Sequence, residues 1–131
     1  MSQTLIVIKP DGVKRKLVGE IISRIERKGF EIIKLKMFTF TREQAVDFYS
    51  THSNESFFEP LVEFVTSGPV VAIVLDGENA VNTLRLMIGL TRSYEASPGT
   101  IRGDFGLGTT TNIIHASDSS KSFERESRVI F

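Results

Sequence analysis

The 131-residue chain contains no cysteine and only two histidines, and its 16 Lys and Arg balance its 16 Asp and Glu. Without a thiol there is no disulfide framework, no thiolate nucleophile, no iron–sulfur cluster and no cysteine-based zinc site. Two histidines are too few for a His-rich metal cage. A net charge of zero argues against a generic polyanion binder, which needs a basic excess to release counterions. The basic run Lys14-Arg15-Lys16 is three residues long and reads as a solvated loop. No apolar stretch approaches the roughly 18 residues of a membrane span. Met1-Ser2-Gln3-Thr4 lacks a basic leader, and Leu5-Ile6-Val7-Ile8 is too short for a signal core. The expectation is therefore a cytoplasmic chain with no membrane partner, for which the formal glycosylation acceptor Asn54-Glu55-Ser56 carries no weight. Also missing are a P-loop, a Gly-x-Ser-x-Gly elbow and a His-Glu-x-x-His pair. Gly106-Leu107-Gly108 supplies two of the three glycines of a dinucleotide fingerprint, with no strand before it.

What is present is the composition of a globular protein, 40% apolar and 24% charged, of a length that suits one domain over residues 1–131. Residues 4–8 form a β-branched apolar run stopped by Lys9-Pro10-Asp11-Gly12, which predicts a buried strand and a turn. Residues 19–28 place Ile21, Ile22 and Ile25 on one helical face, with Gly29 as the stop. Residues 31–40 alternate, putting Ile33, Leu35, Met37 and Thr39 on one side of a strand. Thr41 caps a helix bearing Ala45, Phe48 and Tyr49, and a second helix holds Leu61, Val62, Phe64 and Val65. The unbroken apolar run at 70–75 predicts a central strand. Val81, Leu84, Met87 and Ile88 follow on a helix, Ile113-Ile114 reads as a short strand, and Asp118-Ser119-Ser120 caps a last helix. Two βαβ units with the helices on one face of the sheet define an α+β, ferredoxin-like split βαβ fold with a four-stranded antiparallel sheet. Residues 90–111 show no period, and compact domains rarely keep such a loop unless it binds something.

Phosphate-competent side chains gather around that loop. Lys9 ends the first strand, Arg85 lies on the third major helix, Thr91 and Arg102 lie in the loop, and Asn112 and His115 flank the last strand. Guanidinium groups suit anionic oxygens because they make paired, charge-assisted hydrogen bonds. In the last strand His115 faces away from Ile114, hence need not lie in the core. Asp118 opens a helix whose N-terminus favours an anion.

These residues fall in five blocks. They are Thr4-Leu5-Ile6-Val7-Ile8-Lys9-Pro10-Asp11-Gly12-Val13; Tyr49 with His52 and Phe57-Phe58; Thr66-Ser67-Gly68-Pro69-Val70; Pro98-Gly99-Thr100-Ile101-Arg102-Gly103-Asp104-Phe105; and Asn112-Ile113-Ile114-His115-Ala116-Ser117-Asp118. In this order and over essentially the full length, the chain resembles nucleoside diphosphate kinases. The resemblance implies a ping-pong reaction in which a nucleoside triphosphate phosphorylates His115 and a nucleoside diphosphate, ribo- or deoxyribo-, collects the phosphate. A neutral imidazole suits the task because it offers a lone pair at neutral pH without a separate base.

The resemblance further implies that Glu126 accepts the second imidazole N–H, with Ser117 supporting that carboxylate. Lys9, Tyr49, Arg85, Thr91 and Arg102 match phosphate-holding positions, and Lys9 and Asn112 also reach the ribose hydroxyls. Phe57 matches the aromatic on which the base stacks, with Leu61 beside it, which implies broad base specificity. Mg2+ is expected mainly on the nucleotide's own phosphates, with Asp118 contributing through water. His52 matches a position near the phosphates, without a defined role. Neutral overall, the chain should still converge Lys9, Arg85 and Arg102 on one anion site.

Where the family usually continues Thr91 with Asn-Pro, this chain has Arg92-Ser93; Thr110-Thr111 replace a common Gly-Arg, and Ala116 replaces a frequent glycine. None of these positions is assigned to the chemistry, but the loop commonly packs between subunits. A homo-oligomer is expected, dimer-based and tetrameric or hexameric. A non-catalytic relative would have no reason to keep Lys9, Arg102, His115 and Glu126 together. An RNA-binding sheet would want aromatics on its central strands, and residues 70–75 have none, so no nucleic-acid partner is expected.

Overall fold

Strand β1 (Ser2–Ile8) lies inside the sheet, and its apolar run is buried on both faces, from Thr4 to Ile8. The computed structural model, which describes residues 1–131, orders the four strands β2-β3-β1-β4, every pair antiparallel. Strands β2 (Glu31–Phe38), β3 (Val70–Gly77) and β4 (Ile114–Ala116) complete it. β3 separates β1 from β2 and β1 separates β3 from β4, which is the split βαβ arrangement.

The helices cover both faces, not one. Alternation along β1 sends Ile6 and Ile8 to a cluster with Ile21 and Ile25 of α2 (Val18–Lys28) and Leu84 and Ile88 of α5 (Ala80–Ile88). It sends Leu5 and Val7 the other way, against Phe48, Val62 and Ile130. These come from α3 (Arg42–Phe48), α4 (Phe58–Val65) and α7 (Ser120–Ile130). The periodicity of each helix shows that it has an apolar face but not which side of the sheet receives it.

Local chemistry explains the boundaries. Gly29 takes φ 111 to close α2, where its N–H returns to the Ile25 and Glu26 carbonyls. Thr41 and Gln44 form a reciprocal capping box on α3. Ser119, within the expected capping segment Asp118-Ser119-Ser120, accepts from the Ser122 N–H to start α7. The segment read as a turn at Lys9-Pro10-Asp11-Gly12 is a short helix, α1 (Pro10–Lys14), with Pro10 at its first position. The aperiodic loop contains a single 3-10 turn at Ser93–Glu95 and the five-residue helix α6 (Ile101–Phe105), capped by Thr100.

Two strands depart from their sequence patterns. β2 ends the sheet and its Ile33, Leu35 and Met37 are exposed; a bulge between Ile32 and Lys34 breaks the alternation and leaves Ile32, not Ile33, in register on the side of Leu35 and Met37. β4 starts at Ile114, and Ile113 before it has φ 76, so Ile113 and Ile114 pack into the same cluster instead of opposite faces. No helix is long and apolar enough to cross a membrane.

Candidate active site

β4 pairs with β1 so that His115 lies opposite Val7, and this register turns the imidazole toward the layer of α3, α4 and α7. There the ring meets Phe48 edge-on, with centroids 5.0 Å apart, and Tyr49 at 5.9 Å. These contacts restrict its rotation. Its Nε2 lies 2.9 Å from Oε1 of Glu126 on α7, and Ser117 Oγ donates to the same oxygen at 2.7 Å. Glu126 and Ser117 are both buried. The carboxylate oxygen accepts from Ser117 and, on its other side, from the imidazole N–H, which makes Nε2 the protonated nitrogen. Nδ1 is then the atom with a free lone pair. Burial lowers the imidazole pKa below its usual value against the opposing pull of Glu126, so the ring is neutral at pH 7.

The cations surround this ring from three elements. Lys9, at the end of β1, is buried; its Nζ donates to Asn112 Oδ1 at 2.8 Å and to the Thr110 carbonyl at 3.3 Å. Burial, then the charge of Arg102, pushes the Lys9 ammonium down to about 7, with Asp11 pulling the other way. Arg102 on α6 is buried too; it donates to the Gly89 carbonyl at 3.1 Å and to the Ile114 carbonyl at 2.6 Å, while its Nε has no partner. Burial and the neighbouring Arg85 push it down to about 10, so it keeps its charge at neutral pH. Arg85 on α5 donates to the Ala116 carbonyl at 3.1 Å. Three cations, each within electrostatic reach of another and short of counterions, create a field for an anion.

The Tyr49 hydroxyl is buried without a hydrogen-bond partner, and burial raises its pKa, so it stays protonated as a donor. Asn112 is buried and donates to the Thr91 carbonyl at 2.8 Å. Thr91 itself is exposed and, with Arg85, lines a groove of about 760 Å³ between α5 and the loop. Asp118, two residues after β4, is exposed, its carboxyl held below the usual carboxylate range by Ser122 and Arg85, burial opposing.

The other expected residues are farther out. Phe57 is 43% exposed just before α4 and packs against His52, ring centroids 5.5 Å apart. Leu61 lies one helical turn after Phe57, its N–H donating to the Phe57 carbonyl at 3.0 Å, and is buried with the core residues of α3 and α4. Three supporting residues escaped the sequence reading. Phe48 restrains the imidazole. Arg125 ties α7 to the end of α3 by donating to the Asp47 and Phe48 carbonyls, both at 3.1 Å. Asp11 accepts from the Ile113 N–H at 3.0 Å. Only Asp11 left a sequence signal, an acid directly after a proline where the strand ends.

Known proteins resemble this chain over nearly its whole length. The family described as nucleoside diphosphate kinase matches residues 2–131. The chain is 57% identical to a nucleoside diphosphate kinase of Staphylothermus marinus, over 99% of this chain and 92% of the relative. Its fold superposes with a TM-score of 0.97 on a halophilic nucleoside diphosphate kinase from Halobacterium salinarum in complex with CDP, at 41% identity over 99% of this chain and 87% of that one. The Aquifex aeolicus nucleoside diphosphate kinase gives a TM-score of 0.96 at 46% identity, over 99% of this chain and 94% of its own. With agreement running from the first strand through the last helix, in sequence and in backbone alike, this chain belongs to the nucleoside diphosphate kinase family.

Proposed function

We propose that this chain moves the γ-phosphate of a nucleoside triphosphate onto a nucleoside diphosphate by way of a phosphohistidine at His115. The observation that carries this reading is the 2.9 Å contact between His115 Nε2 and a buried Glu126 carboxylate, which leaves Nδ1 free on a ring within the fields of Lys9 and Arg102. In the first half-reaction Nδ1 attacks the γ-phosphorus. The N–P bond forms as the bond to the β–γ bridging oxygen breaks, and the nucleoside diphosphate leaves with that electron pair. The positive charge developing on the imidazole is shared through Nε2–H with Glu126, and Ser117 holds the carboxylate in place. In the second half a β-phosphate oxygen of the acceptor takes the phosphoryl group back, and the imidazole is neutral again. Phosphoryl transfer asks for positioning and charge stabilisation more than for covalent assistance. Lys9, Arg85 and Arg102 supply the charge, and Tyr49 and Thr91 supply hydroxyl donors. Lys9 and Asn112 address the ribose.

Phe57 offers an exposed face for the base, which reads no base edges, so purines and pyrimidines, ribo- and deoxyribo-, should all serve. Asp118 is an exposed carboxylate, and no group of three metal-ligating side chains exists, a donor set suited to Mg2+ that arrives on the nucleotide's phosphates. That ion, when bound, neutralises β- and γ-phosphate charge. Residues 1–131 act as one nucleotide-transferring unit in the cytoplasm. The exposed Ile33, Leu35 and Met37 on the edge strand β2 support association into a homo-oligomer.

Incubation with γ-labelled ATP and no acceptor tests the reading. The label should be acid-labile and alkali-stable, and any nucleoside diphosphate should discharge it. No label, or label persisting in His115→Ala, overturns it.

A further inference from the structure

We infer that Asp11 is a positioning residue for the phosphoryl transfer, its carboxylate clamping a strained turn at Ile113 that sets Asn112 and His115. This rests on the function proposed above and adds to it a residue that the transfer chemistry itself does not use.

Ile113 stands at φ 76, in the left-handed region that a β-branched side chain rarely enters. The Ile114 N–H donates back to the Asn112 carbonyl at 2.9 Å, closing a three-residue γ-turn around it. This positive-φ γ-turn is the rare, strained kind, and such a conformation persists only where its surroundings impose it. The surroundings here are one segment, Lys9 to Gly12. Asp11 Oδ2 accepts the Ile113 N–H at 3.0 Å, and the Lys9 N–H donates to the Ile113 carbonyl at 2.8 Å. Gly12 closes the third side, where a Cβ would stand 3.1 Å from the Ile113 oxygen and 2.7 Å from Ile8 Cγ2. Both polar groups of the strained peptide unit are thus held by the start of α1, about 100 residues away in sequence.

What the turn positions explains why strain is kept there. On one side is Asn112, which accepts from Lys9 Nζ at 2.8 Å. On the other is Ile114, whose carbonyl receives Arg102 at 2.6 Å, and then His115. A relaxed Ile113 would rotate Asn112 against His115 and separate the amide from the imidazole. Of the two bonds that hold the turn, the Lys9 N–H belongs to the backbone and survives any side-chain change. The carboxylate is the replaceable half. Its second oxygen, Oδ1, is buried without a partner, so the group is not placed there to make the most hydrogen bonds.

The experiment compares Asp11→Ala and Asp11→Asn with the unaltered protein. Single-turnover phosphorylation of His115, kcat and KM are measured, together with circular dichroism and the imidazole nitrogen resonances. A misplacement of about 1 Å at a reacting group costs up to about 100-fold. Asp11→Ala should therefore phosphorylate about 10- to 100-fold more slowly, with KM moved by less than about threefold and a changed His115 resonance. Asp11→Asn keeps an oxygen for the Ile113 N–H and should recover most of the rate. Should Asp11→Ala not fold, Asp11→Ser, a shorter side chain that cannot span to Ile113, takes its place with the same expectation. A folded Ala or Ser variant with an unaltered rate overturns the inference, as does an Asn variant that is as slow as Ala. Failure of the unaltered protein to form phosphohistidine would instead overturn the proposed function, and the His115 resonances would still report on the turn.

Discussion

The inner and outer ends of the candidate site are built on opposite plans. At the inner end Lys9, Arg102, Asn112, Ser117 and Glu126 are all buried, and each is tied to the fold by hydrogen bonds of 2.6 to 3.1 Å. At the outer end Phe57, Thr91 and Asp118 are exposed, and the Phe57 ring packs against that of His52. Preorganised donors in a water-poor pocket act without reorganising during the reaction, whereas an exposed ring face accepts any flat partner. On the function proposed above, the fold fixes what is common to all nucleotides and leaves uncommitted what differs among them.

The sharpest way to break this contrast is at the inner end. Arg102→Met retains much of the buried stem but removes the guanidinium that bridges the Gly89 and Ile114 carbonyls. The loss of one preorganised donor at a charge-developing centre typically costs 10²–10³-fold. The expected result is a fall of about that size in kcat/KM for every nucleotide alike. Steady-state kinetics with a purine and a pyrimidine acceptor checks it, and unequal losses would show that the inner end reads the base.

A second test uses acidity. Burial holds Lys9 at about 7, and bound phosphates favour its charged form. Above pH 7 nucleotide binding must then bring a proton with it, and affinity should fall by at most about tenfold per pH unit. The unliganded protein moves the opposite way. Its unfolded chain keeps the lysine proton up to about 10.5 while the folded chain releases it near 7. Between those values the unfolded state binds more protons, so this group makes stability rise with pH. Calorimetry in buffers of different ionisation heat measures the proton uptake, and Lys9→Arg, charged throughout, should abolish it.

The two ends also differ in how far the sequence discloses them. Strand β1, helices α2 and α5, and β3 are legible because apolar periodicity follows from burial. Lys9, Arg102, Asn112 and His115 are legible because their motifs are local. The exposed face of β2 is not, because being an edge strand depends on which strand pairs beyond it. Nor does the pattern give the depth of Leu61, whose helix has apolar residues enough for both a core face and a pocket wall. Helix α1 is too short, at five residues, for a period to emerge. Ile113 misleads for a different reason. It reads as a strand residue by composition, and only the hydrogen bonds from Asp11 and Lys9 reveal that its backbone has been forced out of the strand.

The smallest effect is expected at the outer end, with Phe57→Ala. The ring is 43% exposed and outside both core clusters, so its removal leaves no cavity and should leave the melting temperature nearly unchanged. Base–aromatic stacking contributes about 1–3 kcal/mol, and a half-open ring belongs at the low end of that range. Nucleotide affinity should weaken by about fivefold to tenfold, with the rate of His115 phosphorylation at saturation unchanged. Because stacking depends on the area of the base, purines should lose slightly more than pyrimidines, but no base should be singled out. Fluorescence titration with four nucleoside diphosphates, paired with single-turnover labelling, separates the two quantities. A loss confined to one base would mean that the outer end carries hydrogen-bond recognition after all. A loss of rate without a loss of affinity would mean that Phe57 helps to align the phosphates, and the division between a committed interior and an open mouth would have to be redrawn around α4.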